Sequence, residues 1–302
     1  MIIAIGGGST IDIGKGTAIC LTNTVEYPEF YDQTEKPYTT PISLKGFPQN
    51  ISDPIPLITI PSIVGSGAEI SYNAVFIDRQ ANRKLGINNR KNFPVKTIID
   101  PRLTSSAPTS AVLSSAMDTL VHCVDSFGSQ KQTALSRMFS IEGFKRTFQV
   151  LLNKDLSSEQ AHLELAIGSV CGITALMNSG DGPTNGFAYY LGVEKKVPHG
   201  LAGAIFLLEV MKYNVAHGYE EYSLLNPKQD YATKNANCLD LLKQLDSLYQ
   251  HYQIPTIAAS GYNHDNVAAL AAAASAALSG SFTGNPIPFN EQSAREVLAA
   301  LI

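Results

Sequence analysis

Asp118 and His122 lie four residues apart in Ser115-Ala-Met-Asp118-Thr-Leu-Val-His122-Cys-Val-Asp125. On a helix that spacing sets both side chains on one face, a turn apart. A hard carboxylate oxygen and an imidazole nitrogen held together form half of a divalent transition-metal site. The other half has to come from elsewhere in the chain, and His199 in Val197-Pro198-His199-Gly200 is the best candidate. The bland alternative is a solvated helix that carries an Asp and a His by chance.

A second chemical signal stands at the front. Ile2-Ile-Ala-Ile5 is a short apolar run of buried-strand type, followed at once by Gly6-Gly7-Gly8-Ser9 and a helical stretch from Thr10 to Leu21. Strand, glycine run and helix start is the geometry that cradles phosphate, because backbone N–H groups and the helix dipole meet an anion there. A tight strand-to-helix turn is the plain alternative. Pro56-Leu-Ile-Thr-Ile60 and the small-residue loop Pro61-Ser-Ile-Val-Gly65-Ser66-Gly67-Ala68-Glu69 repeat the arrangement. Two such loops fit the crevice of an open α/β sheet.

The elements that must position these residues change character along the chain. Residues 24–55 read as a long excursion rich in Pro, Tyr, Thr and Asp. Asn73–Asp78 and Lys84–Asn88 look like a hairpin pair, and Thr97–Asp100 is one more strand, stopped by Pro101. After Pro108 helical patterns dominate, at 109–128, 131–152, 158–178, 198–216, 233–252 and 263–278, with breaks at 153–155, 178–183 and Gly192. This predicts an α/β domain over 1–105 and a helical domain over 106–302.

The 302 residues are 44% hydrophobic with mean hydropathy +0.01, an ordinary globular composition with room for two cores. Net charge is −4, and the basic residues are scattered pairs, so no nucleic-acid partner is expected. Cys20, Cys123, Cys171 and Cys238 form no C-x-x-C pair and read as reduced core thiols of a cytoplasmic protein. With five residues before Gly6, no signal peptide is expected from this sequence. No apolar run reads as long enough to span a bilayer, Val267–Leu278 coming closest.

Gly6-Gly-Gly-Ser9-Thr-Ile-Asp12-Ile-Gly-Lys15 resembles the GGGSxxDxxK signature of the iron-containing (group III) alcohol dehydrogenase family. Residues 61–69 look like its P-T-T-x-G-T-G-S-E loop. Asp100-Pro-Arg-Leu-Thr104, Pro108 and Met117–Asp125 resemble its D-P-x-L-T…P…G-M-D-A-L-x-H-x-x-E segment. Pro198-His199-Gly200-Leu-Ala-Gly-Ala-Ile-Phe-Leu-Leu resembles P-H-G-x-A-N-A-I-L-L-P, and the tail Gly284-Asn-Pro286 also matches. These motifs occur in order over essentially the whole chain.

The resemblance implies a partial Rossmann-like N-terminal domain, an all-α C-terminal domain and a dehydroquinate synthase-like architecture. It implies Fe2+ or Zn2+ and NAD or NADP in the cleft, with a small alcohol or aldehyde as substrate and a homo-oligomer as the assembled form. The family's ligands, one Asp and three His, carry over to Asp118, His122 and His199, while the fourth position is Asn185. A further family histidine, close to the nicotinamide, is Tyr189 here. Asn offers a neutral carbonyl oxygen beside imidazole. Tyr189 would either relay a proton with His199 as the second catalytic group, or simply fill the pocket. Gly7, Gly8 and Ser9 would hold the pyrophosphate, and Ser62, Ser66 and Gly67 would line the cofactor side. Asp12 would order the first loop, or serve only as a first-turn acid on the helix dipole. The family carries two or three βα units before the GGGS loop, so the chain is expected to be a shortened member. Two other readings share the scaffold: a relative that has lost metal or cofactor binding, and a lyase of the dehydroquinate synthase kind.

Overall fold

The computed structural model describes residues 1–23, 42–43, 52–78, 83–277 and 279–302. Strand β1, Ile2–Gly6, leads through Gly7 into helix α1, Gly8–Cys20. After β2, Ile42–Ser43, come β3, Leu57–Pro61, β4, Asn73–Asp78, β5, Arg83–Asn88, and β6, Lys96–Thr97. Among the described residues these make two three-stranded sheets. One is parallel in the order β1-β3-β6, with Ile2 opposite Leu57 and Gly6 opposite Pro61. The other has the order β2-β5-β4, with β4 and β5 antiparallel as the hairpin reading expects. Most of the 24–55 excursion lies outside the described residues. The expected strand 97–100 is reduced to Lys96–Thr97, because Asp100 turns away to cap a short helix α2, Pro101–Thr104, accepting from the Arg102 N–H.

The rest is helical: α3, Thr109–Gly128, α4, Ala134–Asn153, α5, Glu159–Ser179, α6, Pro183–Lys195, α7, His199–Ala216, α8, Lys234–Tyr252, α9, Val267–Ala277, α10, Ser279–Phe282, and α11, Glu291–Ala300. Helix α4 starts three residues later than its pattern suggests, because Thr133 and Ser136 form a reciprocal cap. Helix α6 departs further from the sequence reading, which saw only breaks at 178–183 and Gly192. Pro183 sits at its first position, where a missing N–H costs nothing, and burial of Phe187, Ala188 and Leu191 overrides two internal glycines.

Two large cores form. One gathers α3, α4, α5, α7 and α8 around Phe127, Phe144, Phe148 and Leu241. The other packs α6, α7, α9 and α11 around Phe187, Phe206, Phe282 and Phe289. Helix α5 corrects the hydropathy reading: its 21 residues, mean hydropathy 1.2, meet the length and apolarity of a membrane span. Its apolar length is explained by the core, since 56% of that stretch is buried against neighbouring helices. Three cysteines are buried as expected, but Cys20 is exposed at the end of α1.

Candidate active site

Helix α3 is the spine of the site. Asp118 and His122 are both buried on it, with His122 Nε2 at 3.6 Å from Asp118 Oδ1. His199 opens α7 and is half-buried, its Nε2 lying 3.9 Å from the same Asp118 oxygen. What brings α7 so close is the absence of side chains. A Cβ on Gly200 would stand 1.8 Å from the Ser114 carbonyl oxygen, and one on Gly203 would stand 2.8 Å from Val121 Cγ2. Two glycines three residues apart let the backbones touch, and His199 is delivered beside Asp118 as a result.

Helix α6 adds the fourth position. Asn185 is buried and its Oδ1 lies 3.1 Å from His199 Nε2. Tyr189, one turn on, stacks against the same imidazole with ring centroids 4.6 Å apart and a tilt of 37°. Burial pushes the Tyr189 phenol far above its usual range, with nearby Asp181 and Asp118 adding to the effect. The phenol is held protonated, able to donate one hydrogen bond and to accept others. Asp181 is itself raised by burial, and its Oδ2 accepts from Ser281 Oγ at 3.0 Å.

Donors on one tetrahedral metal at ordinary bond lengths stand about 3.4 Å apart. The separations of 3.6 and 3.9 Å are a few tenths wider. Among the described residues no three His, Cys, Asp or Glu side chains close fully into a metal cluster. Moreover, 3.6 Å is too long for a hydrogen bond, and buried His122 Nδ1 has no hydrogen-bond partner among the described residues. The Nε2 atoms of both imidazoles, not Nδ1, face Asp118 Oδ1, at 3.6 and 3.9 Å, and one carboxylate oxygen with two imidazole nitrogens is a donor set whose chemistry fits a divalent transition metal.

The glycine loops meet the helices at α3. Gly65, at φ 156°, is so close to α3 that a Cβ would stand 2.3 Å from the Ser115 carbonyl oxygen. Gly67, at φ 67°, is pressed equally hard against Ile173 of α5. Thr119 Oγ1 donates to the Gly65 carbonyl at 3.3 Å. The second loop is thus clamped one turn from Asp118. The first loop lies beside it: the Ser62 N–H donates to the Gly6 carbonyl at 3.0 Å, and a Cβ on Gly8 would meet Ser66 Oγ at 2.8 Å. Helix α1 carries no side-chain cap and no acid in its first turn, while Ser9 and Ser66 are exposed. Its leading amides are available to an anion.

Asp12 is not the first-turn acid of the plain alternative. It lies beyond the first turn, and its Oδ2 accepts from the Val75 N–H at 3.0 Å, tying α1 to β4. Two residues escaped the sequence reading as structural groups. Lys15 is buried, its Nζ donating to Ser71 Oγ at 3.1 Å and the Asn73 carbonyl at 2.7 Å. Burial lowers its pKa to about 8, against the favourable charges of Asp12 and Glu69. Buried Glu69 is raised to about 7 by desolvation, which its backbone hydrogen bond and Lys15 only partly offset. Both residues belong to the loop motifs, and their polar types at the edge of apolar runs were the available signal. Of the remaining histidines, His162 packs inside, its Nδ1 3.0 Å from Thr104 Oγ1.

Comparison with known proteins agrees with this geometry. The family model of the iron-containing alcohol dehydrogenases matches residues 1–101, and that of the Fe-containing alcohol dehydrogenase family C-terminal region matches residues 112–302. The chain belongs to the iron-containing alcohol dehydrogenase family. It is 29% identical over 221 residues to lactaldehyde reductase of Escherichia coli (strain K12), covering 73% of this chain and 55% of that protein. It therefore spans about half the length of the curated relative it matches. A crystal structure of 1,3-propanediol oxidoreductase superposes with TM-score 0.86 at 21% identity, covering 100% of this chain and 77% of the other. Sulfoacetaldehyde reductase from Bifidobacterium kashiwanohense, in complex with NAD+, superposes with TM-score 0.82 at 20% identity, covering 99% and 75%. These likenesses show the fold.

Proposed function

We propose that the chain acts as a metal-dependent, NAD(P)-linked oxidoreductase that interconverts a small alcohol and its aldehyde. The observation that carries the reading is the convergence of Asp118 Oδ1, His122 Nε2 and His199 Nε2 beside two clamped glycine loops. Asp118, His122 and His199 would hold Fe2+ or Zn2+, with Asn185 Oδ1 as a weaker fourth donor. Bound there, the metal supplies Lewis acidity toward the substrate oxygen. The relatives include a lactaldehyde reductase and a 1,3-propanediol oxidoreductase, and one neighbour holds NAD+.

The protein's own part is positioning. The amides of Gly7, Gly8 and Ser9 at the uncapped start of α1 would bind the cofactor pyrophosphate. Ser62, Ser66 and Gly67 would line the cofactor side. With the second loop clamped one turn from Asp118, the nicotinamide and the substrate oxygen would be held against each other, which supplies orientation to hydride transfer. Tyr189, held protonated, would donate a hydrogen bond at the substrate end, while its ring limits the swing of His199.

The same reading includes a division of labour near residue 105, a cytoplasmic location and a homo-oligomer. Elemental analysis of the purified chain tests the central claim. About one iron or zinc per chain, lost in Asp118→Ala, is expected, together with alcohol-dependent formation of reduced nicotinamide. A wild-type chain without metal after growth in iron- and zinc-supplemented medium would overturn it.

A further inference from the structure

Helix α6 starts in an unusual way for a buried helix. Its N-cap is Gly182, which has no side chain to give, and its first residue is Pro183, which has no N–H. The next free amides would be orphans inside the protein. They are met instead by a residue from another helix. Asp125, buried on α3, accepts from the Gly182 N–H at 3.2 Å and the Asn185 N–H at 2.8 Å. Gly182 is glycine for the same reason, since a Cβ there would stand 2.8 Å from the Asp125 carboxylate.

Asp125 lies seven residues after Asp118 and three after His122, so all three share one face of α3. Asn185, whose main chain Asp125 holds, is also the residue whose side chain faces His199. Tyr189 follows one turn later on the same helix. We infer that Asp125 is a positioning residue: as the cap of α6 supplied by α3, it sets the height and rotation at which Asn185 and Tyr189 meet His199. A single helix then supplies two of the donors and the clamp that aligns a further one, Asn185. The carboxylate touches neither substrate nor cofactor in this role. The inference deepens the metal-site reading above, and its binding arm rests on that reading.

The test combines residue-resolved amide hydrogen exchange with zinc titration, on wild type, Asp125→Ala, Asp125→Asn and Gly182→Ala. In Asp125→Ala, exchange of the Thr184, Asn185 and Gly186 amides should accelerate at least about tenfold while α4 and α5 keep their protection. Zinc affinity should fall about 10- to 100-fold, as when the groups that orient a ligand are lost. Asp125→Asn retains one acceptor oxygen and should fall between wild type and alanine in both measurements. Gly182→Ala disturbs the same contact from the other side without removing the carboxylate, and should reproduce the pattern if Asp125→Ala does not fold. Protection of α6 within about twofold of wild type in these variants would overturn the inference, as would an equal loss across all helices. A wild-type chain that binds no zinc would overturn the functional reading instead, and the exchange comparison would then decide Asp125 on its own.

Discussion

In the proposed site the α/β region and the helical region would contribute by opposite means. In residues 1–97 the useful groups are backbone amides, exposed because glycines and small residues leave the loops bare. In residues 109–302 they are side chains, delivered by helices that approach to backbone contact. Both regions therefore depend on missing side chains, but for different ends: Gly8 opens a surface, whereas Gly200 removes a spacer. Their ionisable groups differ in the same sense. Lys15 and Glu69 are buried beneath the loops and hold structure, while Asp118 and the histidines face one another with room between them.

The comparison is broken most severely at the helix crossing. Gly200→Val should separate α7 from α3 and cost about 3 kcal/mol or more, read by denaturant unfolding, because its Cβ has no space against the Ser114 carbonyl. Metal content should fall with it. If stability holds and metal is retained, close packing is not what places His199.

Gly67→Ala attacks the joint between the regions. A left-handed backbone and a Cβ 2.3 Å from Ile173 should together cost about 2 kcal/mol and raise the KM for the dinucleotide. Adding Ile173→Ala should recover part of the stability but not the backbone strain. Full recovery in the double variant would assign the whole cost to the steric contact.

The buried charges make a pH-dependent distinction. Glu69 titrates near 7 when folded, above its ordinary 4.5, so the folded state holds more protons between those values. Its contribution to stability is thus highest below about 4.5 and is lost as pH rises through about 7. Lys15, lowered to about 8, works the other way, and stability should rise again from about 8 toward its ordinary 10.5. Thermal unfolding from pH 5 to 8 should lose on the order of 1 to 3 kcal/mol from this source, and Glu69→Gln should flatten that slope. An unchanged slope would show that other groups govern it.

The smallest effect is the sharpest probe of the donor set. Asn185→His places imidazole where an amide oxygen now faces His199, and zinc affinity should rise about tenfold, near 1.4 kcal/mol. Weaker zinc binding would mean that Asn185 serves chiefly through its hydrogen bond and its place under Asp125.

Much of the site was legible from local pattern. The i, i+4 spacing of Asp118 and His122 and the strand–glycine–helix order at Ile2–Leu21 are properties of adjacent residues, and both hold in the structure. The hairpin of β4 and β5 was readable for the same reason. Helix α6 was not, because Gly186 and Gly192 depress its local propensity and only its packing on α7 stabilises it. The burial of Lys15 and the outward turn of Cys20 likewise depend on which face of α1 meets the sheets.

The sequence by itself determined which residues could do chemistry, where the α/β region yields to helices, and which family motifs stand in order. Only the tertiary structure decided that Gly200 seats His199 on Asp118, that Gly65 and Gly67 lock the second loop to α3 and α5, and that Asp125 caps a helix it does not belong to. Those are contacts between residues tens of positions apart in the chain. Periodicity and propensity act over one or two turns, whereas steric fit and buried hydrogen bonding act between whichever surfaces the chain finally brings together.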